Sequence, residues 1–173
     1  GVNMKFIILK ILCCLFLFNL LHANENKYIK QGDFQTWSVF AKKNKELCYA
    51  IAKPINSFGS YNLRGRVSIV VARRPKEDTK NFIGIDFGYS FKEKSKVKIV
   101  IDKDINFQLD TFGQTAWTDP KDSNNLDDAI IKEMRKGIDL EVFGKSKRGT
   151  DTRDLYSLKG FSKAYNKIKE TCG

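Results

Sequence analysis

Arg64, Arg66, Arg73 and Arg74 crowd one stretch of the chain, and Arg148 ends a second basic run. A guanidinium offers a planar fork of donors that matches carboxylate or phosphate oxygens, so these five arginines form a candidate anion-binding patch. The charge distribution agrees with that grouping. Residues 41–80 carry a net +7 and residues 132–173 a net +5, whereas residues 81–131 carry −3. A basic face of this kind attracts an anionic lipid or glycan surface, or an acidic protein surface. The same cations also serve as ordinary solvating surface, and the sequence alone favours that plainer account. Nucleic acid is not an expected partner, because no recognised binding motif accompanies the charge.

Acid–base catalysis would require carboxylates that face one another across a cleft. Asp102/Asp104 and Asp127/Asp128 are the available pairs. The first pair flanks a turn, and the second falls in the first turn of a helix, where acids complement the helix dipole. Both therefore read as structural. No GxxxxGK[ST] or GxGxxG run is present to cradle phosphates.

The chain has four cysteines and one histidine, and their positions restrict the chemistry further. Residues 1–23 read as a secretory leader. Gly1, Val2 and Asn3 precede Met4 as a remnant, Lys5 supplies the positive start, residues 6–21 are apolar apart from Lys10 and Asn19, and Ala23 is the small residue at the cleavage point. The apolar run falls short of the roughly 20 residues that a spanning helix needs. Removal of the leader takes His22, Cys13 and Cys14 with it and leaves residues 24–173 as one domain. A domain without imidazole cannot host Ser-His-Asp or Cys-His machinery, or the usual zinc site. Cys48 and Cys172 remain, and an exported protein with an even number of cysteines is expected to pair them. A disulfide supplies no thiolate nucleophile. The expectation is a non-enzymatic protein with no metal or other cofactor.

The elements that must carry these residues are mainly strands. Residues 37–41 and 47–52 are short, aromatic or β-branched, and separated by a polar link, as in a hairpin. Residues 67–72 form a nearly continuous apolar run, which fits a strand covered on both faces. Ile83, Ile85, Phe87 and Tyr89 alternate with smaller or polar residues; so do Val97, Ile99 and Ile101, and the pattern resumes at Phe107 and Leu109 after the Asp102-Lys103-Asp104 turn. Residues 140–143 and 155–158 add two more strands, and residues 54–66 read as an exposed loop. Leu126, Ala129, Ile130 and Met134 repeat at helical spacing, with Ser123 and Asn124 as cap candidates and Gly137 as a stop. Phe161, Ala164, Tyr165 and Ile168 form the stripe of a second helix whose lysines face water. The resulting fold class is mainly β, an antiparallel sandwich or barrel-like domain with two helices, one of them C-terminal.

Several motifs then fall in a recognisable order. Trp37 precedes Cys48, Arg73-Arg74-Pro75 closes a hydrophobic strand, and Gly88-Tyr89-Ser90-Phe91 precedes a valine-rich one. Thr115-Ala116-Trp117, Met134-Arg135-Lys136-Gly137, the run from Ser146 through Leu158, and Gly160-Phe161-Ser162-Lys163-Ala164 follow. Over roughly Trp37 to Cys172 the chain resembles the invasion-associated locus B family of alphaproteobacterial envelope proteins. The resemblance implies an exported, periplasmic or envelope-associated β-rich domain; the family name comes from host-cell entry in some pathogens. Relatives often carry a further cysteine near the first strand, which this chain lacks. No catalytic residues come with the family. Within the Arg148–Leu158 motif, Arg148 or Arg153 is expected to pair with Asp151 or Asp154 across strands. The functional expectation is an envelope interaction or structural module. The alternative is a periplasmic binding protein for an anionic small molecule or lipid.

Overall fold

The structure is a computed structural model that describes residues 27–77, 81–118 and 126–173. The expected leader, with His22, Cys13 and Cys14, and the Ser123 and Asn124 caps lie outside the described residues. Eleven strands and two helices follow in chain order: β1 (Tyr28–Phe34), β2 (Trp37–Lys42), β3 (Cys48–Ala52), β4 (Asn56–Gly59), β5 (Ser68–Arg73), β6 (Asn81–Asp86), β7 (Lys96–Ile101), β8 (Ile105–Phe112), β9 (Thr115–Trp117), α1 (Leu126–Met134), β10 (Asp139–Lys145), β11 (Asp151–Ser157) and α2 (Phe161–Cys172).

All eleven strands join one antiparallel sheet in the order β1-β2-β3-β5-β6-β9-β8-β7-β10-β11-β4. The sheet is not closed, since β1 and β4 form its two ends. Its inner face follows the two-residue period of the strands. Trp37 and Val39, Cys48 and Ala50, Ile69 and Val71, Ile83 and Ile85, and Ile99 and Ile101 are buried in one core. The second face of β5 is also largely covered, with Ser68 and Ala72 buried and Val70 half-buried.

Helix α2 closes the core over the β1-β2-β3-β5 side. Phe161, Ala164, Tyr165 and Ile168 are buried at the expected helical spacing. Burying each of the larger of these side chains stabilises the fold by about 1.5–3 kcal/mol. The Cys48–Cys172 disulfide ties the last residue of α2 to the first residue of β3 across 124 positions. At the other end of α2, Gly160 has φ of 87° and lies against the Phe34 carbonyl, a place where a side chain would collide. The Trp37 indole donates to the Ser157 carbonyl at 3.0 Å, so β2 and the end of β11 meet although they are not neighbours in the sheet.

Three segments differ from the sequence reading, one of them the three-residue β9, to which the reading gave no element. Residues 54–66 are not wholly loop, because β4 lies within them and pairs with β11 from Asn56↔Leu155 to Gly59↔Thr152. All four residues of β4 are exposed, so no alternation marks it. Strand β1, which the reading did not assign, carries a register shift between Lys30 and Gly32 that interrupts its pattern.

Candidate functional site

Residues 60–66 cross over the β6–β7 connection through a close backbone contact. Gly65 donates its N–H to the Gly88 carbonyl at 2.9 Å. Gly88 has φ of +67°, and a Cβ there would stand 2.6 Å from the Gly65 carbonyl carbon, so the crossing requires glycine on that side. The crossing delivers Arg64 into the protein. Its Nη1 and Nη2 donate to the two carboxylate oxygens of Asp154 at 2.7 and 2.6 Å, and its Nε donates to the Phe87 carbonyl at 2.7 Å. The pair is closed to solvent, with side-chain exposures of 5% for Arg64 and 0% for Asp154. Burial works against the charged guanidinium, and the Asp154 carboxylate more than offsets it, so the Arg64 pKa lies above its ordinary value. The guanidinium lies beside two tyrosine rings, 5.4 Å from the Tyr61 centroid and 5.2 Å from that of Tyr89.

Above this pair is a cavity of about 600 Å³ whose lining includes Tyr61, Leu63, Arg64, Tyr89, Lys147, Arg148 and Thr152. The Tyr89 hydroxyl shares a 2.7 Å hydrogen bond with Thr152 Oγ1. Burial pushes the Tyr89 phenol up to about 12, so it is neutral at physiological pH. Lys147 and Arg148 are exposed on the cavity lining. The cavity therefore presents hydroxyls, an aromatic wall and two exposed cations, with the charge of Arg64 already neutralised by Asp154.

The five arginines of the candidate patch are dispersed. Arg64 and Arg148 line this cavity. Arg66 is exposed on the crossing segment. Arg74 pairs with Glu77 at 3.2 Å and stacks over Phe82 at 5.0 Å. Arg73 donates to Asn81 Oδ1 at 3.3 Å and lines a separate groove beside α1 and α2, together with Lys132, Arg135, Lys136 and Lys169. The sequence reading placed Lys169 on a water-facing helix side and Arg135 and Lys136 in a family motif, but it did not bring these cations together as a site. Their signal was available in the i, i+3, i+4 spacing of Lys132, Arg135 and Lys136.

The expected cross-strand pairing of Arg148 or Arg153 is corrected. Asp154 is taken by Arg64, Asp151 pairs with Lys145 at 3.3 Å, and Arg153 pairs with Glu141 at 3.4 Å. Partner choice follows the strand neighbours, since β11 lies between β10 and β4, and the segment after β4 carries Arg64 inward. Three of the four carboxylates in the two candidate pairs have structural partners. Asp102 Oδ1 accepts the N–H groups of Ile138 and Asp139 at 2.9 and 3.0 Å. Asp127, buried in α1, accepts from the Ile83 N–H at 2.9 Å and from Thr118 Oγ1 at 2.7 Å, which fastens α1 to β6. Asp128 accepts from Asn81 Nδ2 at 2.6 Å. Among the described residues, no cluster of three or more His, Cys, Asp or Glu side chains could hold a metal ion, and no helix is long and apolar enough to cross a membrane.

Comparison with known proteins bears on the whole domain. The family model described as "Invasion associated locus B (IalB) protein" matches residues 37–169. The crystal structure of invasion associated protein B from Bartonella henselae superimposes with a TM-score of 0.55 at 13% identity, covering 82% of this chain and 96% of that one. At that identity the likeness concerns the fold. No curated protein matches the chain.

Proposed function

Because the chain belongs to the invasion-associated locus B family, we propose that it is an exported, non-enzymatic interaction or structural module of the bacterial envelope. The observation that carries this reading is the extent of the match, which runs from the first residue of β2 to within four residues of the C-terminus. The family character thus belongs to the folded domain itself. The Cys48–Cys172 bond supports the export part, since such bonds persist in oxidising compartments. The engagement of Asp102, Asp127 and Asp128 in holding turns and helix α1 supports the non-enzymatic part. The alternative of an anion-binding protein gains little from Arg64 and Arg74, because Arg64 is neutralised by Asp154 and Arg74 is paired with Glu77.

The test is fractionation of intact cells with thiol trapping and crosslinking. The proposal expects the protein in the periplasmic or membrane-envelope fraction, oxidised at Cys48 and Cys172, and crosslinked to an envelope component. Reduced protein confined to the cytosol would refute export. Turnover of an envelope glycan by the purified protein would refute the non-enzymatic role.

A further inference from the structure

The groove beside α1 and α2 gathers cations from three separate elements. Arg73 comes from the end of β5, Lys132, Arg135 and Lys136 from the end of α1 and just beyond it, and Lys169 from the last turn of α2. One acid, Asp128, lines the same groove, and it is engaged by Asn81. Lys136 pairs with Glu133 at 3.2 Å and Arg135 donates to Asn166 at 3.2 Å. Lys132 and Lys169 are exposed and have no ion pair among the described residues. Arg73 adds a buried Nε–H that has no acceptor among the described residues.

A cation in the last turn of a helix complements that helix's dipole, which accounts for Lys132 and Lys169 one at a time. It does not account for their convergence with Arg73 on one concavity of about 580 Å³, where like charges repel. A bound multivalent anion relieves that repulsion. The only large apolar side chains on the lining, Ile131 and Tyr165, are themselves buried, at 3% and 6% exposure. Recognition there is therefore by charge and hydrogen bonding.

We propose that this groove is a binding site for a ligand carrying two or more phosphate groups, with Lys132 and Lys169 as its mobile clamps and Arg73 as a forked donor between them. Guanidinium and ammonium groups together suit phosphate, since the first matches its oxygens in pairs and the second follows them as point charges. The site is distinct from the cavity above Arg64, and it does not depend on the envelope role.

The experiment is calorimetric titration of the disulfide-bonded protein with sodium tripolyphosphate at low and near-physiological salt. Saturable binding is expected, weakening as salt rises. The Lys132→Gln/Lys169→Gln variant, whose changes are confined to exposed side chains, should bind about tenfold more weakly or worse. A control of equal charge change at exposed lysines outside both concavities, Lys53→Gln/Lys92→Gln, should stay within about twofold of the parent. Absence of saturable binding, or equal weakening in both variants, overturns the proposal. A second arm uses phosphatidylcholine vesicles containing phosphatidylglycerol. Vesicle binding that needs Lys132 and Lys169 and is displaced by tripolyphosphate assigns the phosphates to lipid headgroups. No vesicle binding beside saturable tripolyphosphate binding assigns them to a soluble ligand.

Discussion

Truncating Asp154 to alanine leaves a guanidinium stranded inside the protein. Arg64 is 5% exposed and Asp154 0% exposed, and their two short hydrogen bonds join segments 90 residues apart. Removing one member of a buried pair costs about 3–5 kcal/mol, because the remaining charge has neither partner nor water. Asp154→Ala should therefore lower stability by about that amount, and at roughly 2–4 °C per kcal/mol for a domain of this size the melting point should fall by roughly 10 °C. The double variant Arg64→Met/Asp154→Ala removes both charges. It should be more stable than Asp154→Ala alone, giving a coupling energy of about 2–4 kcal/mol in a double-mutant cycle closed by Arg64→Met. The contrasting control is Asp151→Ala, which breaks the exposed Lys145–Asp151 pair, with exposures of 62% and 79%, and should cost under about 1 kcal/mol. Urea denaturation monitored by Trp37 fluorescence provides the readout. Asp154→Ala within about 1 kcal/mol of the parent, or a double variant as unstable as the two single losses added, would refute the reasoning.

Three further outcomes are expected. Reducing Cys48–Cys172, or replacing both residues by alanine, should cost about 2–5 kcal/mol, near the upper end of the loop-entropy range for a 124-residue separation, read from urea midpoints with and without reductant. Burial raises the Asp127 carboxyl above its ordinary 3.8, against the opposing hydrogen bonds from Thr118 and Ile83, so the native state holds that proton more tightly than the unfolded chain. The resulting stability is full below that ordinary value and is lost as pH rises through the elevated native one. Wild type should accordingly lose stability relative to Asp127→Asn from acid toward neutral pH, and an unchanged difference in paired urea titrations across that range would contradict this. Tyr156 is fully buried, and its hydroxyl has no hydrogen-bond partner among the described residues. Tyr156→Phe should therefore leave stability unchanged or raise it by about 1 kcal/mol, with a drop in melting temperature as the contrary result.

What can be read from one stretch of chain at a time was legible in the sequence. The alternation of Ile83, Ile85 and Phe87, and of Val97, Ile99 and Ile101, identified β6 and β7 because a strand buries every second side chain. The Phe161–Ile168 stripe identified α2 for the corresponding helical reason, and the Cys48–Cys172 pairing followed from there being one choice left once the leader was set aside. Strand β4, wholly exposed over four residues, and β1, broken by its register shift, offered no clean period to read.

Partnership between distant segments was decided by the tertiary structure alone. Arg64 read as one member of a candidate anion-binding patch or as solvated surface, yet an eleven-stranded order that places β4 beside β11 brings it to Asp154. The same folding separates Arg73 and Arg74 from Arg148, and joins Arg73 to Lys132 and Lys169. Local periodicity encodes which face of an element avoids water, because that is a property of neighbouring residues. Which charges meet depends on strand order and chain crossings, which are fixed only when the whole core closes.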